Sequence, residues 1–202
     1  MMSDELFERL SNYKCYLNSI QPLLDKYFEE QKEFIHCKKG CPHCCEKGIY
    51  PYSELEFKYL ELGFYKVDYN EQVKIMKRIT ALKKEYEKAG NKENFWHRCP
   101  FSNDNSECTV YEYRGLICRN FGIMHINREN KITVPFCVDL GLNYSNVFDK
   151  KNNKLDPELI EHGHFSERPR PYPITRDSLM DKDLFVGEPL NFGESKALIE
   201  WL

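Results

Sequence analysis

Apolar residues recur at helical spacing along much of this chain. From Ser3 to about Asn18 they fall at Leu6, Leu10, Tyr13 and Leu17, steps of three and four that share one helix face. Pro22 then interrupts. Ser19 can cap a second helix running through Leu24, Tyr27 and Phe28 to about Phe34, or Pro22 marks a kink in a single one. Ser53 and Glu56 form an S-x-x-E capping box that opens a further helix, which Gly63 is expected to stop. Asp68 and Glu71 repeat the device. They open a longer helix with Val73, Met76, Ile79, Leu82 and Tyr86 on one face and Lys and Glu on the other, ended at Gly90. That pattern describes a core-facing helix with a solvated side.

The second half of the chain is less regular. A short helix is expected from Thr109 to Ile117. GIMHI and KITVPF alternate as strands do, and Asn127-Arg128-Glu129-Asn130 would join them as a hairpin. Asp156-Pro157 is a helix start, ERPRPYPITR reads as extended chain lying on the domain surface or meeting a partner, and FGESKALIEWL reads as a final helix. No internal repeat is present. The fold expected is mainly α: a small helical domain with irregular cysteine-rich loops and one short β-hairpin. Three stretches organise it, an N-terminal helical segment over 1–36, a cysteine cluster over 37–140, and a C-terminal extension over 141–202 packed on the same domain.

Composition narrows the function. The chain has 202 residues, enough for one domain with a real core. A net charge of −3 gives no reason to expect binding to nucleic acid or an anionic membrane. No apolar run is long enough to span a bilayer. The start, MMSDELFERL, lacks the basic and apolar regions of a signal peptide, so a cytoplasmic protein is expected.

That expectation bears on the nine cysteines. In a reducing compartment, clustered cysteines are metal ligands or redox groups more often than structural disulfides. An odd number cannot pair fully, and adjacent Cys44 and Cys45 could bridge each other only with strain. Four of the cysteines lie in CKKGCPHCC, residues 37–45, where Gly40 and Pro42 forbid regular helix. Cys15 stands apart, among core-type positions of the first helix, and reads as a buried or half-buried structural residue. The candidate metal ligands are Cys37, Cys41, Cys44, Cys45, Cys99, Cys108, Cys118 and Cys137. Thiolates suit zinc and iron–sulfur clusters. Eight of them could supply two four-thiolate sites, or one site with spare thiols, and they exceed what one structural zinc needs, which favours iron–sulfur.

Two resemblances follow from the spacing. Cys37-x3-Cys41-x2-Cys44 matches the cluster motif of radical S-adenosylmethionine enzymes, in which three cysteines hold a [4Fe–4S] cluster. Here, however, helices precede and follow it, without the alternating strands and helices of that family. CKKGCPHCC, Cys99-Pro100-Phe101, CTVYEYRGLICR and a lone downstream Cys137 come in the order of the YkgJ-like cysteine-cluster family, described as a zinc- or iron-chelating domain. The match covers about residues 37–137, with Gly115 where that family usually has proline. The resemblance implies a cysteine-held metal and leaves the reaction open. Some relatives look like flagellin lysine N-methylases, which implies a cluster-dependent enzyme acting on a protein substrate with S-adenosylmethionine. No glycine-rich nucleotide signature is present to hold that donor. A non-enzymatic store or chaperone for zinc or iron is the third reading.

Neighbouring residues complete the set. Arg114 and Arg119 bracket Cys118 and are candidates to offset cluster charge or hold an anionic substrate. Tyr111 and Tyr113 are expected to cover the site. His36, His43 and His97 flank cysteines and read as hydrogen-bonding or exposed residues ahead of ligands, His125 as structural, and His162 and His164 as polar-turn residues.

Overall fold

The computed structural model describes residues 3–38, 40–127, 129–180, 184 and 189–202. Lys39 of the CKKGCPHCC segment and Arg128 of the expected hairpin turn lie outside the described residues. The fold is mainly α, with three two-stranded antiparallel sheets among the described residues. No described helix is long and apolar enough to cross a membrane. The chain divides into two compact units, Met1–Lys14 with Gly40–Arg119 and Glu188–Leu202, and Cys15–Lys39 with Asn120–Gly187.

Helix α1 runs unbroken over Asp4–Glu30, its first turns in the first unit and the rest in the second, with Pro22 inside it. Ser19 does not cap a new helix, because its hydroxyl donates to the Cys15 carbonyl within the same one. The buried stripe is Leu10, Tyr13, Tyr16, Leu17, Ile20, Leu24 and Tyr27. Cys15, two residues from both Tyr13 and Leu17, falls about 200° around the helix from each and is exposed, contrary to the buried or half-buried position expected.

The first unit adds a short helix α2 (His43–Glu46), strand β1 (Pro51–Ser53), helices α3 (Glu54–Lys66) and α4 (Tyr69–Lys88), and most of α5 (Leu116–Asn120). Both arms of the expected box at Ser53 and Glu56 are made. Asp68 caps α4 through the Glu71 N–H. Gly63 does not stop α3. Its missing side chain admits Tyr113, whose Cβ would lie 2.6 Å from an added methyl. On α4 the buried positions are Ile75, Ile79 and Leu82, and Met76 is about half exposed.

The expected helix over 109–117 is two pieces, a 3-10 turn at Tyr111–Tyr113 and then α5. Arg114 is extended between them, and Gly115 lies flat against the Tyr52 ring, where a side chain would stand 2.8 Å away. The expected final helix is also divided. Ser195–Ala197 pairs with β1 in register Pro51↔Ala197, and only Leu198–Trp201 is helical. Tyr50, Tyr52, Phe57, Leu60, Ile75, Ile79, Phe101, Val110 and Leu198 make one core, against which Cys99, Cys108 and Cys118 pack.

The second unit contains the expected hairpin, short, with His125↔Thr133 and Ile126↔Ile132 paired. A second ribbon pairs Phe148–Asp149 with Lys154–Leu155, and short helices span Pro157–His162 and Arg176–Met180. Asp156 caps the first of these helices from its side chain. The extended ERPRPYPITR stretch lies along the hairpin. Tyr172 exchanges backbone hydrogen bonds with Met124 and Ile126, and Gln31 binds Arg168 and Arg170.

Candidate functional site

The site begins at β1. Tyr50 and Tyr52 alternate through IYPYS, so both side chains turn to the same side, and both are buried. Ser53 then starts α3, and its capping partner Glu56 is itself buried, at 2% exposure. One carboxyl oxygen of Glu56 accepts from the Ser53 N–H at 2.9 Å and the Ser53 hydroxyl at 2.7 Å. The other accepts from the Leu116 N–H at 3.0 Å. A single side chain thereby caps α3 and anchors the first turn of α5, which carries Cys118. The Tyr52 hydroxyl accepts from the Gly115 N–H at 3.1 Å, leaving its own proton for the Cys118 Sγ, 3.3 Å away.

Cys44 and Cys45 sit on α2, with their sulfurs 3.9 Å apart. The Cys99 N–H donates to the Cys45 carbonyl at 2.7 Å, and Gly48 and His97 exchange backbone hydrogen bonds. Those links clamp the 97–99 segment beside 45–48. Cys108 pairs as a bridge with Ser102.

Electrostatics ties these thiols together. Cys99 and Cys118 lie in each other's field with Cys45 and Cys108. Burial pushes Cys108 up to about 11 and Cys118 up to about 12, and holds Cys99 well above the usual thiol range. Cys45 goes the other way, down to about 7. The hydrogen bond from Cys44 is the main cause, with Arg114 and Arg98 assisting against burial and Glu46. Burial, with the fields of Cys99, Cys118, Cys45 and Cys44, also raises the Tyr50 hydroxyl.

Five of the eight candidate cysteines, Cys44, Cys45, Cys99, Cys108 and Cys118, thus lie in the first unit within reach of one another's fields. Cys41 belongs to the same unit and is partly buried. Cys37 and Cys137 belong to the second unit. There the buried Asn143 side chain donates to the Cys37 Sγ at 3.0 Å and to the Gly122 carbonyl, and accepts from the His36 N–H. Gly122, at φ +106°, leaves room for that sulfur, which an added methyl would approach to 2.5 Å. Cys137 is buried, and the fields of both sulfurs reach the buried Tyr144 hydroxyl. All nine cysteines are free thiols.

The arginines divide. Arg114 lies over the Tyr111 ring at 3.4 Å, donates to the Cys118 carbonyl, and favours the thiolates of Cys45, Cys108 and Cys118. Arg119 braces the chain instead, donating to the Arg114 and Glu112 carbonyls. The expected aromatic cover is different. Tyr111 is 40% exposed, and Tyr113 packs on Tyr59. Tyr50 and Tyr52 are the rings that reach the thiols, and the signal for them was the alternation in IYPYS directly after the paired cysteines. Arg98, also unanticipated, is fixed by the Asn103 carbonyl.

The donor set is thiol-rich and partly to fully buried, with positive charge supplied by Arg114 and Arg98. That chemistry fits zinc or an iron–sulfur cluster and does not fit oxygen-seeking Mg²⁺ or Ca²⁺. Among the described residues, no three His, Cys, Asp or Glu side chains are grouped closely enough to hold a metal ion as they stand. Sulfurs around one tetrahedral zinc stand about 3.8 Å apart, a spacing that Cys44 and Cys45 have. Comparison with family models, curated proteins and solved structures gives no match to this chain.

Proposed function

We propose that this chain is a metal-binding protein whose first unit holds an iron–sulfur cluster or zinc through cysteine thiolates. One observation carries the reading: five free cysteines from four separated segments of one compact unit lie within one another's fields and those of two buried tyrosines. Thiols so placed repel one another once ionised, and a cation removes that repulsion. Cys44, Cys45, Cys99, Cys108 and Cys118 would hold it, with Cys41 the nearest further donor along the chain. Thiolates must be deprotonated and brought to one ion for it to bind, so metal binding and ordering of the 41–118 region should be coupled.

The number and softness of the thiols favour iron–sulfur, which would supply one-electron chemistry. Zinc would supply a structural tie or a Lewis acid. The resemblance of CKKGCPHCC, Cys99-Pro100-Phe101 and CTVYEYRGLICR to the YkgJ-like cluster family supports the same reading. A reducing, cytoplasmic setting suits nine free thiols.

Elemental analysis of protein purified without oxygen tests this. Iron and acid-labile sulfide at about four each per chain are expected for a [4Fe–4S] cluster. One or two zinc ions without sulfide would make the site structural or Lewis-acidic. A protein that retains neither metal, and takes up neither zinc nor ferrous iron with sulfide, is not what we propose.

A further inference from the structure

Two residues before Cys99 stands a histidine that the cysteine pattern does not include. His97 is 7% exposed. Its Nδ1 is 3.0 Å from the Phe95 carbonyl. A carbonyl only accepts, so Nδ1 carries the ring proton and Nε2 presents a lone pair. That Nε2 is buried and has no hydrogen-bond partner among the described residues. A backbone carbonyl fixing one ring nitrogen while the other offers its lone pair is how metal-ligating histidines are held.

The location agrees. His97 is two residues before Cys99, and its backbone is clamped to Gly48 while Cys99 is clamped to Cys45. Its ring meets the Tyr50 ring edge-on at 6.3 Å, and Tyr50 lies in the fields of Cys44, Cys45, Cys99 and Cys118. The Tyr50 hydroxyl is likewise buried without a hydrogen-bond partner among the described residues. Two buried polar atoms without a partner among the described residues thus belong to rings that meet edge-on, in segments clamped to those that carry Cys45 and Cys99.

We infer that His97, through Nε2, is a ligand of the group held by those thiolates, making the donor set mixed thiolate and imidazole. The inference rests on the metal reading above. A neutral imidazole in place of a thiolate lowers the negative charge of the site by one. At a zinc this gives a Cys₃His type of site, and at a cluster it raises the reduction potential, as imidazole ligation does in Rieske centres. The rival explanation is local: Tyr50 turns slightly and donates its O–H to Nε2.

The test is the first coordination shell of the full-length protein, after elemental analysis has identified its metal. For zinc, X-ray absorption should show a nitrogen shell at about 2.0 Å beside sulfur at about 2.3 Å. For iron–sulfur, pulsed EPR of the reduced protein should show a nitrogen coupling that changes when histidine is ¹⁵N-labelled. The nitrogen signal should vanish in His97→Gln and persist in His36→Gln, His43→Gln and Tyr50→Phe. An all-sulfur shell in metal-loaded wild-type protein overturns the inference and leaves the metal reading standing. So does a nitrogen signal that survives His97→Gln. Should His97→Gln fail to fold, loss of the signal in His36→Gln or His43→Gln would overturn it, and retention in both would support it. Wild-type protein that binds no metal overturns both.

Discussion

Glu56→Ala removes one buried carboxyl group that serves two helices, and its effect can be worked out from the bonds lost. The Ser53 N–H and the Leu116 N–H each lose their acceptor at a buried position. Each orphaned donor costs about 1–3 kcal/mol, and the Ser53 hydroxyl loses a third bond that it can partly replace. We expect a loss of about 3–4 kcal/mol, a large share of the roughly 5–15 kcal/mol that domains possess. With a urea slope of about 2 kcal/mol/M, the midpoint should fall by about 1.5–2 M at unchanged slope. Glu56→Gln, which keeps one acceptor oxygen where two served, should cost about half as much. Hydrogen exchange gives the local readout. The Leu116 amide and the turn that carries Cys118 should exchange faster in Glu56→Ala, whereas Ile75 and Ile79 should follow only the global loss. A Glu56→Ala protein within about 1 kcal/mol of wild type would refute the claim that this side chain ties α5 to α3. So would a Glu56→Gln protein as damaged as Glu56→Ala.

Two further outcomes follow from the same structure. Gly63→Ala places a methyl 2.6 Å from the Tyr113 Cβ, so the α3 packing must shift; we expect a loss of about 1–3 kcal/mol by thermal melting, although alanine is the better helix former. In metal-free protein, Cys108 and Cys118 hold their protons more tightly folded than unfolded, with values of about 11 and about 12. Their contribution is therefore full below the ordinary thiol value of about 9 and is lost as pH rises through 11 to 12. Cys45, lowered to about 7, contributes above 9 and loses that contribution as pH falls through 7. Urea midpoints of metal-free protein should accordingly peak near pH 9, and a midpoint that climbs steadily to pH 11 would contradict the burial of these thiols.

Local chemistry was legible in the sequence. The capping box at Ser53 and Glu56, the Asp68 and Asp156 caps, the hairpin and the core-facing stripe of α1 each depend on residues a few positions apart, so the spacing alone states them. The cysteines and their order were equally visible, and with them the class of metal they suit. Tertiary contacts decided the rest. Pro22 stays inside α1 because one missing N–H does not outweigh the apolar face buried on either side of it. Gly63 is a packing space for Tyr113 and not a stop, which only the approach of a residue fifty positions away could establish. The 195–197 segment is a strand because β1 offers it a ladder partner nearly 150 residues upstream. The grouping of Cys44, Cys45, Cys99, Cys108 and Cys118, the two tyrosines against them and the sealed Nε2 of His97 depend on where loops meet. Loops carry no periodicity that a sequence could announce, so spacing could list the thiols but not say which of them the fold places in one unit.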